Sequence, residues 1–533
     1  MYGNSLKILE YMNTKNSICF IVALAISSLF SSCYKDLGNY DYIDNNKILQ
    51  ISDIAAQTTR TVVLGQEVRV TPAITWKYPD RDTTANAFEF RWEFNDSVVS
   101  NERNLRFTPT KIQHQAPCYL FVTEKTTGIT TIHTGHITIT SPFKTGWLIL
   151  SESGSNSILS FIRRDTKTND KNEKYNEYVE YKDLYSTLFP GTTLGTNPKK
   201  LSYVQITGDK DEILVLQEPD QCVYLSGDDF SKYIYLKDEF PGKQYPQGYK
   251  PADFVDAAQC TYVSGEDGVV YWKISPSFYG KLHLTQFIPV PLTMPGGLKV
   301  GFFPNIRITS SQFAPMYDTL NNRLLMCYTS FNSGGGHRMG TKIEITNNEK
   351  PADVVDVNNM GDYQLVYMGG EHPSFIMLLK QNSTGDYYYY TFSIQGSTSS
   401  FNVRATNHKQ LLFPGSTFIS DESVFHKLRR SAYLFFSNGS KLYFYDQATG
   451  NVKLYHDFQT GRIVKIDADA PETEIGVAFD NGDMYVCSAS VAVLGASNPG
   501  QEGGILHHAT GLGRIVDMIW KYGGYYNYIF ERY

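Results

Sequence analysis

Few residues in this chain stand at spacings that could do chemistry. There is no G-x-S-x-G nucleophile elbow, no H-E-x-x-H pair, no Walker loop and no G-x-G-x-x-G leading into a helix. The run Asn332-Ser333-Gly334-Gly335-Gly336-His337-Arg338-Met339-Gly340 is glycine-rich. It lacks the lysine and hydroxyl pair of a phosphate cradle, so it reads as an inter-strand loop. Glu371-His372-Pro373 reads as a turn, and His507-His508 could bind a metal only with partners from elsewhere in the chain. Asp209, Asp211 and Glu212 form one acidic cluster and Asp480 with Asp483 another; each reads as a solvated hairpin turn, with structural calcium as the alternative. No catalytic residue, metal or cofactor is assigned. A carboxylate pair for glycoside hydrolysis would have to be gathered from separate elements, where spacing does not reveal it.

Aromatic side chains are the other candidates, because sugars stack their apolar faces on such rings. Most fall inside strand-like runs and are expected to pack against neighbouring sheets. Tyr245, Tyr249, Tyr279, Phe303, Phe331, Tyr525 and Tyr526 lie between such runs, as do Phe278 and Phe302. The first seven are the candidate ligand contacts.

The elements that must position these residues are strands. Ser431 to Ser437, the turn Asn438-Gly439, Lys441 to Asp446, the turn Ala448-Thr449-Gly450-Asn451 and Val452 to Tyr455 read as three antiparallel strands in succession. Tyr433 to Phe436 and Leu442 to Tyr445 are continuously apolar or aromatic, so both faces of this sheet should be covered. A small sheet held between two similar sheets is one blade of a β-propeller. Comparable strand–turn–strand clusters recur through the chain, among them Ile213 to Leu225, Cys260 to Ile274, Met316 to Tyr328, Gln364 to Ile394 and Glu474 to Ala489. A propeller over 143–533 is expected, of seven blades with six or eight as the alternatives, its last strand at Ile515 to Trp520, with the tail Tyr525 to Phe530, pairing beside Gly146 to Leu150.

Composition agrees with an all-β fold: of 533 residues 38 are Tyr, 31 Phe and 42 Gly. A net charge of -6 supplies no basic field, which sets nucleic acid aside as a partner. Of seven cysteines, Cys118, Cys222, Cys260, Cys327 and Cys487 lie far apart with no C-x-x-C, and read as buried free thiols.

The N-terminus reads as an export signal over 1–32: Lys7 and Lys15, an apolar run from Ile18 to Ile26 too short to span a bilayer, then small residues up to Cys33. That ending resembles a relaxed bacterial lipobox, which makes Cys33 the lipid-attachment residue and 33–46 a polar linker. Several acyl chains on one residue anchor a protein to a membrane durably.

Cys33-Tyr34-Lys35-Asp36-Leu37-Gly38-Asn39-Tyr40-Asp41-Tyr42 resembles the mature start of the PKD-like lipoproteins of gut Bacteroidota. Over 47–142, Phe90-Arg91-Trp92-Glu93-Phe94-Asn95-Asp96 is similar to the PKD signature Y-x-W-D-F-G-D-G, with Asn95 and Ser97 in place of both glycines. Trp92 is the expected core tryptophan of an immunoglobulin-like sandwich. The resemblance continues through Gly146-Trp147-Leu148-Ile149-Leu150-Ser151-Glu152. It implies a PKD-like β-sandwich followed by a propeller-like domain, in a lipid-anchored protein of the outer membrane facing the exterior. It also implies a non-catalytic role beside a Sus-type (SusC/SusD-like) transporter complex, binding glycan or peptide nutrient or docking on the transporter. A propeller glycoside hydrolase or lyase, and a purely protein-binding assembly factor, are the alternatives.

Overall fold

The computed structural model describes residues 50–52, 60–75, 85–205, 211–257, 260–274, 283, 285–304, 313–328, 342–346, 350–397 and 402–523. The proposed signal, Cys33, the linker and the tail beyond 523 lie outside them. The described elements are almost all antiparallel strands, and the chain divides into two compact units, the larger taking in the chain from Thr138 onward.

In the N-terminal unit, Phe88–Phe94 alternates buried and outward side chains, as a strand with one covered face must. It sits in a five-stranded sheet ordered Arg60–Val63, Thr130–Thr140, Gln113–Glu124, Phe88–Phe94, Ser97–Ser100. Val68–Val70 pairs separately with Leu105–Phe107. Trp92 is fully buried, and its indole N–H donates to the Glu102 carbonyl at 3.0 Å. It takes the core position its sequence context implies.

Among the described residues the larger unit shows a series of seven sheets, six of four strands and one of three. Sheet I contains Gly146–Ser153, Asn156–Thr168 and Lys174–Tyr181, and its remaining strand is the last of the chain, Arg514–Lys521. Each later sheet is contiguous in sequence. Their first strands are Lys200–Gln205 (sheet II), Pro251–Ala257 (III), Val300–Phe302 (IV), Tyr363–Glu371 (V), Phe425–Lys427 (VI) and Ile463–Ala468 (VII). Arg514–Lys521 takes the corresponding edge of sheet I, with Trp147 opposite Trp520, so the last strand closes onto the first sheet. That pairing follows the expectation for Ile515 to Trp520.

Sheet VI shows why continuous aromatic runs form such sheets. Leu434, Phe436, Tyr443 and Tyr445 pack with Ile376, Leu378, Tyr389 and Phe413 of sheet V. The alternate residues Phe435, Leu442, Phe444 and Tyr455 pack with Ile463, Ile475, Val477 and Phe479 of sheet VII. Each face therefore buries large side chains, worth about 1.5–3 kcal/mol apiece. The two-residue turn is Gly439-Ser440, one residue later than the expected Asn438-Gly439, because Asn438 still pairs with Lys441; Gly439 takes φ 58°, where a Cβ would be strained. All five described cysteines are buried free thiols.

Candidate functional site

The first strands of the sheets carry polar residues among their apolar ones. In five of them a β-bulge interrupts the register, and the residue just after it is Asp253, Phe302, Tyr367, Lys465 or Asp517. A bulge twists the strand locally and re-aims the following side chain. Four of the five reach a neighbouring sheet. Asp253 accepts the Phe303 amide at 2.9 Å, Tyr367 Oη accepts the Lys427 amide at 2.8 Å, and Asp517 accepts the Leu201 amide at 2.8 Å. Lys465 pairs with Asp517 at 2.7 Å. Two positions past Lys465, Asp467 accepts the Trp520 amide at 2.9 Å. The polar side chains of one first strand thus fasten the backbone of the next.

These strands wall a cavity of about 200 Å³, lined by charged residues that include Lys200, Lys427, Arg429, Lys465, Asp256 and Asp467, with His426 beside them. Rings of Tyr203, Phe254, Phe303, Trp520 and Tyr522 complete the lining; Tyr203 and Tyr522 meet edge to face with centroids 5.4 Å apart. Lys200 is paired with Asp253, and Arg429 with Glu472 at 2.8 Å. Lys427 donates to the carbonyls of Leu428 and Ser431. Burial pushes the Lys427 ammonium down to about 8. Burial acts the same way on Lys465, but Asp517 and Asp467 outweigh it and hold that lysine above its ordinary value. Burial also lowers His426, which is therefore neutral at pH 7, with Asp467 3.6 Å from Nδ1, beyond hydrogen-bonding distance.

Three further buried charge clusters lie outside the cavity. At the closure, Lys521 and Asp211 are both fully buried as side chains and 2.8 Å apart. Arg164 of sheet I reaches Asp469 at 2.5 Å and Glu474 at 3.0 Å in sheet VII. In the third cluster His283 lies between Glu239 at 2.7 Å and Glu212 at 3.1 Å, while Lys273 and the Tyr224 hydroxyl also bind Glu239. Burial alone would lower His283, but the two carboxylates overcome it and push it up to about 9.

The structure corrects the reading of Asp211 and Glu212 as solvated turn acids. Both are buried in the strand Asp211–Leu216, because Lys521 and His283, remote in sequence, supply their partners. Asp480 does sit in a turn, where it binds Arg462. His507 stacks on Tyr178 and pairs with Glu180 at 3.0 Å, and His508 stacks on Tyr485. Among the described residues no cluster of His, Cys, Asp or Glu has the arrangement to hold a metal ion.

Of the candidate ligand contacts, Phe303 lines the cavity while being 5% exposed. Tyr245 and Tyr249 lie elsewhere, packed with Phe240 and Tyr271, and the Tyr249 hydroxyl donates to the Val263 carbonyl at 3.0 Å. Tyr279, Phe331, Tyr525 and Tyr526 fall outside the described residues, as do Phe278, Asp209 and the loop 332–340. Sequence reasoning missed the cavity lining itself. A signal was present: Gly461-Arg462-Ile463-Val464-Lys465 and Gly513-Arg514-Ile515-Val516-Asp517 repeat four residues before their divergent, mutually paired fifth.

The model of the PKD-like family matches residues 33–198, a stretch that starts at Cys33 and runs through the N-terminal unit into the strands of sheet I. Over that stretch the chain is similar to the family. No curated protein matches the chain. Among solved structures, a quinoprotein alcohol dehydrogenase-like protein from Bacteroides thetaiotaomicron is similar at 11% identity and a TM-score of 0.37, covering 89% of this chain and 99% of that one. A candidate 6-phosphogluconolactonase from Bacteroides fragilis is similar at 9% identity and a TM-score of 0.40, covering 71% of this chain and 98% of that one. Similarity at this level carries no argument about activity.

Proposed function

We propose that this is an outer-membrane lipoprotein, anchored through Cys33 and facing the exterior, whose larger unit is a seven-bladed β-propeller that binds nutrient as a non-catalytic accessory of a Sus-type uptake system. The observation that carries the binding reading is the engagement of the acids around the cavity. Asp253 is held by Lys200 and two backbone amides, Asp517 by Lys465 and two amides, Asp467 by the Trp520 amide and Asp256 by the Thr261 hydroxyl. A general acid–base pair needs carboxylates that exchange protons with substrate, whereas these fix backbone and present a shaped, polar surface. Seven sheets in series, closed by the last strand, support the propeller. The lipobox-like ending before Cys33 and the family match that starts there support the anchor.

The test is affinity capture of the tagged chain from detergent-solubilised outer membrane. Co-purification of a transporter, release of the chain from the membrane by Cys33→Ala, and binding of glycan or peptide without product release are expected. Turnover of a glycan would replace this reading with the glycosidase or lyase; partners without any nutrient binding would replace it with the assembly factor.

A further inference from the structure

Resting on that reading, we infer that the cavity walled by the first strands takes a neutral saccharide unit, rather than an acidic sugar or a charged peptide group. Among the described residues, three of the lining cations are already matched. Lys200 faces Asp253, Lys465 faces Asp517 and Arg429 faces Glu472. The remaining described lysine of the lining, Lys427, has its ammonium held by the backbone carbonyls of Leu428 and Ser431, and two acids, Asp256 and Asp467, share that lining. An anionic ligand would have to draw Lys200 or Lys465 from its aspartate, or Lys427 from its two carbonyls, with two carboxylates already in the lining. A neutral hydroxyl asks for no such exchange.

Matched charges are good partners for hydroxyls, since a hydrogen bond to a charged group contributes about 1.5–3 kcal/mol, more than one between neutral groups. His426, neutral at pH 7, offers both a donor and an acceptor. Tyr203 and Tyr522 bring half-buried rings to the same lining, the combination that suits the apolar face and polar edge of a pyranose. The volume of about 200 Å³ is below the about 300–1,000 Å³ that houses drug-sized ligands, which limits the occupant to a single ring, such as the end of a chain.

The experiment is calorimetric titration of the detergent-solubilised full chain with neutral hexose oligosaccharides, and with matched oligosaccharides carrying uronate or sulfate groups, at low and high NaCl. Neutral oligosaccharides should bind with an affinity that moves less than twofold with salt, and the acidic ones at least tenfold more weakly. Tyr522→Ala and His426→Ala should each weaken neutral binding about tenfold. Folding of both variants is checked by their unfolding midpoints, and the salt response of the unaltered chain stands without them. Salt-sensitive binding of acidic oligosaccharide or peptide would overturn the inference and leave the accessory-binder reading intact. The same follows if no neutral oligosaccharide binds but a transporter still co-purifies. Loss of both binding and co-purification would overturn the two together.

Discussion

The layers between sheets and the strands around the cavity are held by different physics. Between sheets V, VI and VII the contacts are aromatic and aliphatic, with Leu434 and Phe436 filling one face and Phe435 and Phe444 the other. Around the cavity the first strands are joined by aspartates, a tyrosine hydroxyl and lysines aimed by bulges at the next strand's backbone or side chains. Apolar burial is non-directional and rewards any close packing. Hydrogen bonds and ion pairs between first strands reward one register only, and they leave a polar cavity at the place they meet. The first arrangement supplies stability; the second fixes a site.

Two substitutions of similar cost separate apolar packing from buried charge. Phe435→Ala should destabilise by about 3–5 kcal/mol through lost burial and a residual cavity. Lys521→Met should cost about 3–5 kcal/mol by leaving Asp211 buried and uncompensated. Urea unfolding measures both. Adding Asp211→Leu to Lys521→Met should recover most of the loss, because an apolar pair can replace a buried ion pair; no second truncation should rescue Phe435→Ala. Failure of the rescue would place the Lys521–Asp211 contact with the packing layers.

His283 gives an intermediate effect with a pH signature. Its folded value of about 9 lies above the ordinary imidazole value near 6.5. Its contribution is therefore full below about pH 6.5 and is lost as pH rises towards 9, on the order of 3 kcal/mol in all. The stability difference between the unaltered chain and His283→Gln should shrink across that window. A constant difference would mean that Glu212 and Glu239 do not hold a charged ring.

Smaller still is Tyr367→Phe, which leaves the Lys427 amide without its acceptor and should cost about 1–3 kcal/mol. Leu454→Gln, at a side chain 45% exposed, should fall within about 0.5 kcal/mol of zero. A large loss there would extend the packing layers to a surface now counted as free of them.

The same contrast decides what the sequence discloses. Leu434 to Phe436 and Leu442 to Tyr445 are legible because packing on both faces writes a continuous apolar run, and Asn438-Gly439 marks its turn to within one residue. Pro251–Ala257 and Ile463–Ala468 mix Asp and Lys among apolar residues, and a bulge breaks their alternation. They match neither strand pattern, yet they line the cavity. The acids were equally hidden: Asp211 answers to Lys521 and Asp517 to Lys465 and Leu201, partners 52 to 316 residues away that only the closed series of sheets brings near. Aromatic content pointed towards ligand contact, but Tyr245 and Tyr249 serve packing, and of the described candidates Phe303 alone reaches the cavity lining.

The most direct measurement of the central claim is hydrogen–deuterium exchange of the full chain with and without a saturating neutral oligosaccharide. Slowed exchange concentrated in 200–205, 251–257, 463–468 and 514–521 is the predicted result. Protection confined to the outer strands of the sheets or to the N-terminal unit, with those four segments unchanged, would contradict it.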